Sequence, residues 1–319
     1  MKFAHVFWNP GEHRLRTWVR MPIFAISVII LFNLISIPLF LLTPSSMAFH
    51  SSLYSIGMLT ATLASISLAS KLLDKRPLIN FGLRINSQWW QDLLFGISLG
   101  MALMAFIFCF ELAFGWVRIT ASFKYFSLSS ALSDNRLFLP SLMESAILYL
   151  SVGIYEELIM RGYFLKNLAE WLNGNWMKPK NAVMLAVLIS SAGFGWLHYF
   201  NPNATVFGAI NIALAGIFLA YGFLLTGNLG ISIGLHIAWN FTQGVIFGFP
   251  VSGATSPASI LVISQSGPSW ITGGAFGPEG GIISSAAMLI GVALIFIYCR
   301  QYRNNTKIME DIAHYPPAI

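Results

Sequence analysis

Charge is what this chain has least of. Of its 319 residues only 9% are Asp, Glu, Lys or Arg, against 56% hydrophobic, and the mean hydropathy is +0.70. A soluble domain carries roughly a quarter charged residues, so too little polar surface exists here to coat a water-facing globule. Cysteine is almost missing. Cys109 and Cys299 both lie in apolar runs, which excludes a disulfide framework and a Cys-rich zinc site. No Gly-x-Ser-x-Gly elbow, His-Glu-x-x-His helix or phosphate-binding loop occurs, so serine-hydrolase and soluble zincin chemistry lack support. Disorder and nucleic-acid binding fit poorly despite the net charge of +6. No internal repeat is evident.

What the chain has instead is apolar length. Runs at 21–42, 53–70, 93–117, 137–155, 182–198, 204–226, 229–249 and 282–299 are each close to what a bilayer requires, about 20 helical residues for a core of about 30 Å. Backbone groups in lipid must be satisfied within the segment, so such runs are helices. The expected fold class is all-α: a polytopic membrane helix bundle with about eight transmembrane helices. Residues 1–136 hold the first three, with a polar connector at 71–92 in which Trp89 and Trp90 read as interfacial rings. Residues 137–249 form a helix core, 250–281 a Gly/Pro-rich outer loop, and 282–319 the last span with a polar, peripheral tail. The outer loop contains no Lys or Arg and reads equally as a connector or a re-entrant segment.

Basic residues give the orientation. Of the 18 Lys and Arg, all but Arg118, Lys124 and Arg136 fall on one side of an eight-span topology. That bias places the protein in the cell membrane, multi-pass, with both termini cytoplasmic. Ser46-Met47-Ala48 resembles a cleavage site, but the first run exceeds the roughly 7–15 residues of a signal-peptide core and reads as an uncleaved anchor.

Ionisable residues within spans are costly and are functional candidates by default. The densest group is Glu156, Glu157 and Arg161. Glu157 and Arg161 stand at i and i+4 with the acid N-terminal, the favourable order for an ion pair. Glu156 points about 100° away on the helix and lacks a local partner, which suits a general base. His198 follows Phe194 at i+4 and Asn240 follows His236 at i+4, each pair on one helix face. His5, His13, His50 and His314 fall in terminal or loop segments and read as solvated. Glu111 and Glu144 lie near outer span ends without polar company, and Trp196 and Trp239 read as packing residues. Gly208, Gly216 and Gly222 suggest close helix approach. If the fourth helix continues to Glu170 and the fifth begins near Asn181, Glu156 and His198 lie at similar heights. His236, entering from the cytoplasmic end, then reaches their depth only if that helical hairpin projects past its neighbours. Its polar tip, with Lys166, Asn167, Asn173 and Lys178, reads as solvated.

Glu156-Glu157-x-x-x-Arg161, Phe194-x-x-x-His198 and His236-x-x-x-Asn240, in this order on three helices, resemble the CPBP family: CAAX prenyl proteases of the Rce1 type and bacterial relatives, including bacteriocin-immunity proteins. The resemblance covers roughly 137–249, and the connector with Gly82-Leu83-Arg84 resembles a segment such proteins carry before the core. It implies an intramembrane endopeptidase acting on a membrane-associated protein or peptide, with a CAAX-type prenylated substrate as one expectation. By the resemblance, Glu156 and His198 activate a water, His236 and Asn240 stabilise the oxyanion, and Glu157 and Arg161 hold the site together. The family is also labelled metalloprotease, and Glu156, His198 and His236 could supply zinc with three ligands. The metal-free scheme suits Asn240 and Arg161 better, so no cofactor is favoured and zinc stays an alternative. The expected partners are membrane lipid and a peptide or protein substrate, with no nucleic acid. The site is expected to open toward the cytoplasm. The competing reading is a non-enzymatic membrane protein, an immunity protein, scaffold or transporter, using the same polar cluster as a clamp or proton relay.

Overall fold

The computed structural model describes residues 4–42, 50–125, 138–174 and 176–315. Arg136, residues 46–48 of the cleavage-like motif and the end of the tail lie outside them. The chain forms a helical bundle: α1 (Thr17–Leu42), α2 (His50–Leu72), α3 (Ser87–Ala113), α4 (Phe138–Leu172), α5 (Pro179–His198), α6 (Val206–Thr226), α7 (Gly230–Phe241) and α8 (Ile282–Arg303). Seven of these, all but α7, are long and apolar enough to cross a membrane. These seven spans place this chain among multi-pass membrane proteins. α7 is the short eighth helix, extended by a π-helical turn over Thr242–Ile246, and it is buried on nearly every side.

The bundle carries one element that hydropathy does not announce. β1 (Val117–Tyr125) follows α3 and pairs antiparallel with β2 (Ala258–Gln265), Val117 opposite Gln265 and Tyr125 opposite Ala258. Part of the expected irregular outer loop is therefore a strand. Glu111, at the end of α3, is fully buried there and accepts a hydrogen bond from Gln265 Nε2 at 2.8 Å. It does not lack polar company, and Glu144 is buried as well.

α7 sits deepest because glycine lets its backbone touch that of α3. Gly96 and Gly100 of α3 lie against the backbone of Ile231, Leu235 and Trp239, and Gly230 and Gly234 of α7 against that of Trp89, Leu93 and Ile97. A Cβ on Gly100 would stand 2.7 Å from the Leu235 carbonyl, and one on Gly230 equally close to the Trp89 carbonyl. Paired small residues four apart permit this approach, which lipid-embedded helices use in place of a hydrophobic driving force. Trp89, expected at the interface, is thereby buried at 7% exposure, while its neighbour Trp90 is exposed.

At the end of the bundle that holds both termini, Arg14, Arg20, Asp74, Arg76, Lys166 and Glu170 are buried rather than solvated. Lys166 lines a cavity with Thr226, Gly227 and Asn228 of the α6–α7 turn, so the six residues from there to Leu172 carry α4 about 9 Å beyond that turn. The hairpin thus projects as geometry requires; Lys178 at its tip is exposed as expected, but Lys166 and Asn167 are buried. Glu170 accepts from Arg76 and, at 3.0 Å, from Arg14 Nη2, and lies 3.5 Å from Lys166 Nζ. Arg20 donates to Asn167 at 2.7 Å and pairs with Asp74 at 3.1 Å. The tail closes over this network instead of lying at the periphery. Asn173 donates to the Ala313 carbonyl at 3.0 Å, Ile312 and Ala313 are buried, and the Tyr315 ring stacks 3.4 Å from the Arg14 guanidinium carbon. Arg14, Arg20, Arg76 and Lys166, which in sequence mark only topology, are structural parts of the bundle.

Candidate functional site

Two consecutive glutamates meet different surroundings because α4 changes its winding just after them. The segment Leu158–Leu165 is π-helical, a widening that recurs at functional sites. Glu157 points into the protein and is fully buried. Its Oε1 accepts from Arg161 Nη1 at 2.7 Å and from His236 Nδ1 at 2.8 Å. An ionised carboxylate can only accept, so Nδ1 of His236 carries a proton and its Nε2 is left for other work. Arg161 is held on two further sides: Nη2 donates to the Gly216 carbonyl at 3.0 Å, and the guanidinium lies 4.6 Å from the Phe194 ring centroid. Gly216 sits where any side chain would strike Ser191, which brings that carbonyl within reach of α4. Gly222 is packed equally tightly against Ile231, whereas Gly208 has more room.

Glu156 faces a cavity of about 440 Å³. Its Oε2 lies 3.8 Å from His236 Nε2, too far for a direct hydrogen bond, and accepts none from any other described residue. His198 lines the same cavity. Its Nδ1 is 2.8 Å from the Phe194 carbonyl, which can only accept, so Nδ1 carries the proton here too and Nε2 is free. The Phe194 ring lies 4.5 Å from the His198 ring and 6.4 Å from that of His236. Asn240, one turn beyond His236, also lines the cavity. The structure thus brings Glu156, His198, His236 and Asn240 to one wall system, with Glu157, Arg161 and Phe194 behind it. Of the two tryptophans beside the histidines, Trp239 forms part of the wall, whereas Trp196 is exposed at 63% rather than packed inside.

The cavity lies in the half of the bundle away from the termini. Asn201 and Pro202 of the α5–α6 turn and the 251–255 part of the outer loop line it, so it does not open toward the termini end, where the basic residues cluster. The physical reason is the direction of α4: Glu156 lies halfway along it, and the buried charge network seals the other end. The outer loop is a wall of the site, not a connector. Gly253, at φ +83°, packs against the Pro202 carbonyl, its N–H donates to Phe276 O at 2.7 Å, and its carbonyl accepts from Asn203 at 3.2 Å.

That wall supplies a residue the sequence motifs do not contain. Glu279 lines the cavity, is 5% exposed, and accepts from the Ser252 N–H and from Gln243 Nε2. The signal was present: Glu279 is the one charged residue of the 250–281 loop. Burial pushes its carboxyl up to about 7, against the opposing pull of its hydrogen bonds from Ser252 and Gln243. This fixes the sign of a pH effect. From the ordinary value of 4.5 to about 7 the unfolded chain ionises Glu279 while the folded chain resists, so stability falls as pH rises through that window. Glu279→Gln is expected to remove this component. The pH dependence of the wild-type melting temperature between about pH 4.5 and 7 should be steeper than that of the variant by the equivalent of a few kcal/mol at most. Parallel curves would contradict it.

Glu156, His198 and His236 have the donor chemistry zinc accepts. Among the described residues, however, no three His, Cys, Asp or Glu side chains converge closely enough to hold a metal ion.

No curated protein matches the chain significantly, and no solved structure does. Residues 138–242, the stretch running from the start of α4 past Asn240, match the family model of the type II CAAX prenyl endopeptidase Rce1-like group. The helices that carry Glu156, His198, His236 and Asn240 therefore lie within a stretch, about a third of the chain, that matches an Rce1-like domain.

Proposed function

We propose that the protein is an intramembrane endopeptidase that hydrolyses a peptide bond of a membrane-associated peptide or protein with a glutamate-activated water. The observation that carries this reading is the pair formed by Glu156 Oε2 and His236 Nε2, 3.8 Å apart on a cavity wall, with Glu157 fixed behind His236. One water oxygen can reach both atoms at about 2.8 Å.

Charge bookkeeping supports the roles. Glu156 and Glu157 contribute two negative charges and Arg161 one positive, so a protonated His236 makes the set neutral, the state least costly to bury. Glu157 stabilises that protonated ring at Nδ1, and Nε2–H then becomes a donor. Glu156 takes a proton from the water as the oxygen bonds to the scissile carbonyl carbon. The developing oxyanion is met by His236 Nε2–H and the Asn240 carboxamide, the preorganised donors such chemistry requires. His198, with Nε2 free, assists in removing the water proton, and the proton passes to the departing amine as the C–N bond breaks. Arg161 touches no reacting atom; it holds Glu157 in place.

The reading is tested by mass spectrometry of membranes containing wild type or Glu156→Ala. Peptide products unique to the wild type are expected, and their persistence on chelation with loss on mutation fits a metal-free reaction. Identical product profiles in the two membranes sink the peptidase reading and favour a clamp or relay role. Loss of products on chelation, restored by zinc, overturns the metal-free scheme alone.

A further inference from the structure

A second cavity, of about 380 Å³, lies at the termini end of the bundle, away from Glu156. Four separate stretches enclose it: the connector after α2, α4, the α6–α7 turn and the tail. Arg84, Lys166, Asp311 and His314 line it, with the carboxamides of Asn80 and Asn228. Charge behind this wall does not balance. Arg14, Arg20, Arg76 and Lys166 are buried beside two buried carboxylates, Asp74 and Glu170. Glu12 meets Arg14 at 2.7 Å from the rim and supplies a third negative charge, which leaves one cation unmatched. Lys166 is that cation. Glu170 is closest to Arg76, then to Arg14 at 3.0 Å, and lies 3.5 Å from Lys166 Nζ. The one other described group that Nζ meets is the Ile312 carbonyl, at 3.3 Å. An ammonium has three protons to donate, so one is left for a ligand.

We propose that this cavity binds a phosphate group, carried by a lipid headgroup or free in solution, between Arg84 and Lys166. An anion there compensates the buried ammonium, which is costly to leave unmatched. Arg84 completes the site from the connector: it is exposed and makes no hydrogen bond or ion pair with another described residue. Its neighbour Ile85 is exposed as well, and a free cation beside bare apolar side chains at the end of the spans suits the headgroup layer. Asp311 opposes the anion, but it is exposed, so water and salt screen it more than the buried Lys166. His314 donates from Nδ1 to the Glu310 carbonyl at 3.1 Å and is counted as neutral. A phosphate in this place ties the connector and α4 to the tail, so tail docking depends on the anion.

The test uses the full chain in an uncharged detergent and three probes: inorganic phosphate, dihexanoyl phosphatidic acid, and dihexanoylglycerol, which lacks the phosphate. Melting temperature and proteolytic release of the segment after Arg303 are followed against probe concentration, since a ligand of the folded chain stabilises it in step with its affinity. Both phosphate probes are expected to raise the melting temperature and slow release of the tail, and dihexanoylglycerol to do neither. Phosphatidic acid acting at about a tenth of the concentration that inorganic phosphate needs, or less, identifies a lipid headgroup; equal concentrations identify a soluble anion. Arg84→Gln is expected to weaken binding about fivefold. Asp311→Asn, a second exposed position, is expected to tighten it about twofold. Lys180→Gln removes an exposed cation at the same end but outside the cavity and is expected to change nothing. No response to either phosphate probe overturns the inference, as does an equal response to dihexanoylglycerol, or binding that Arg84→Gln leaves untouched or weakens no more than Lys180→Gln does. Peptide cleavage plays no part in the readout, so the outcome stands apart from the peptidase reading.

Discussion

Glu156→Gln is expected to lower kcat for peptide hydrolysis by about 10²–10⁴-fold, the range a positioned general base contributes, with little change in melting temperature. The substitution keeps size and polarity but removes the proton acceptor. Glu156 is the ionisable member of the cluster that packing does not require: its Oε2 accepts no hydrogen bond from a described residue, whereas Glu157 is held by both Arg161 and His236. The neighbouring change is expected to behave differently. Glu157→Gln removes the charge that balances Arg161 and fixes the His236 tautomer, so folding and turnover should fall together. Measuring kcat and thermal unfolding on the same detergent-solubilised samples separates the two. If Glu156→Gln retains full kcat, or if it melts as early as Glu157→Gln, the assignment of base and support is wrong. His198→Ala combined with Glu156→Gln should add little to the single loss, because residues that act as one unit are not additive.

Glu170→Ala is expected to produce the largest loss of stability among surface-distant substitutions. Glu170 is enclosed by Arg14, Arg76 and Lys166. Removing one partner of a buried ion cluster leaves uncompensated charge, at a cost of about 3–5 kcal/mol. The consequence should extend beyond a lower melting temperature. The short antiparallel hairpin of Trp8–Asn9 and Arg14–Leu15 reaches Glu170 through Arg14, and the tail reaches Arg14 through Tyr315. Limited proteolysis should therefore release the segment after Arg303 earlier in the variant than in wild type. Glu310→Ala, on an exposed tail residue, serves as control and should stay within about 0.5 kcal/mol. Coincident melting curves for Glu170→Ala and wild type would show that the cluster is a bystander.

The distribution of what was legible follows from the range over which sequence patterns act. Glu157 with Arg161 and Phe194 with His198 are pairs four apart, and helical periodicity alone puts them side by side. Their contacts in the folded chain, at 2.7 Å for the first pair and 2.8 Å between the backbone and imidazole of the second, are local consequences of that spacing. Hydropathy likewise reveals the spans, since a bilayer imposes a length on any helix that crosses it. It is less informative for α7. Gly230 and Gly234 look there like ordinary apolar-run glycines until the α3 backbone at Trp89 and Leu93 is seen against them.

The sequence by itself determined that this protein is a helical membrane bundle, which residues are too polar for their spans, and the order of three motifs on three helices. Only the tertiary structure decided which charges are partners. Glu157 and His236 are 79 positions apart, Arg76 and Glu170 are 94, and Arg14 and Glu170 are 156. No period in a chain encodes such pairings; they are set when helices pack and desolvated charges must find compensation. For the same reason basic residues that signal orientation turned out to be cemented into the fold. The single carboxylate of the outer loop became a wall of the cavity, and the site faces away from the termini. The charges that the fold encloses, Glu157, Arg161 and Glu170 among them, are the ones whose partners tertiary packing decides.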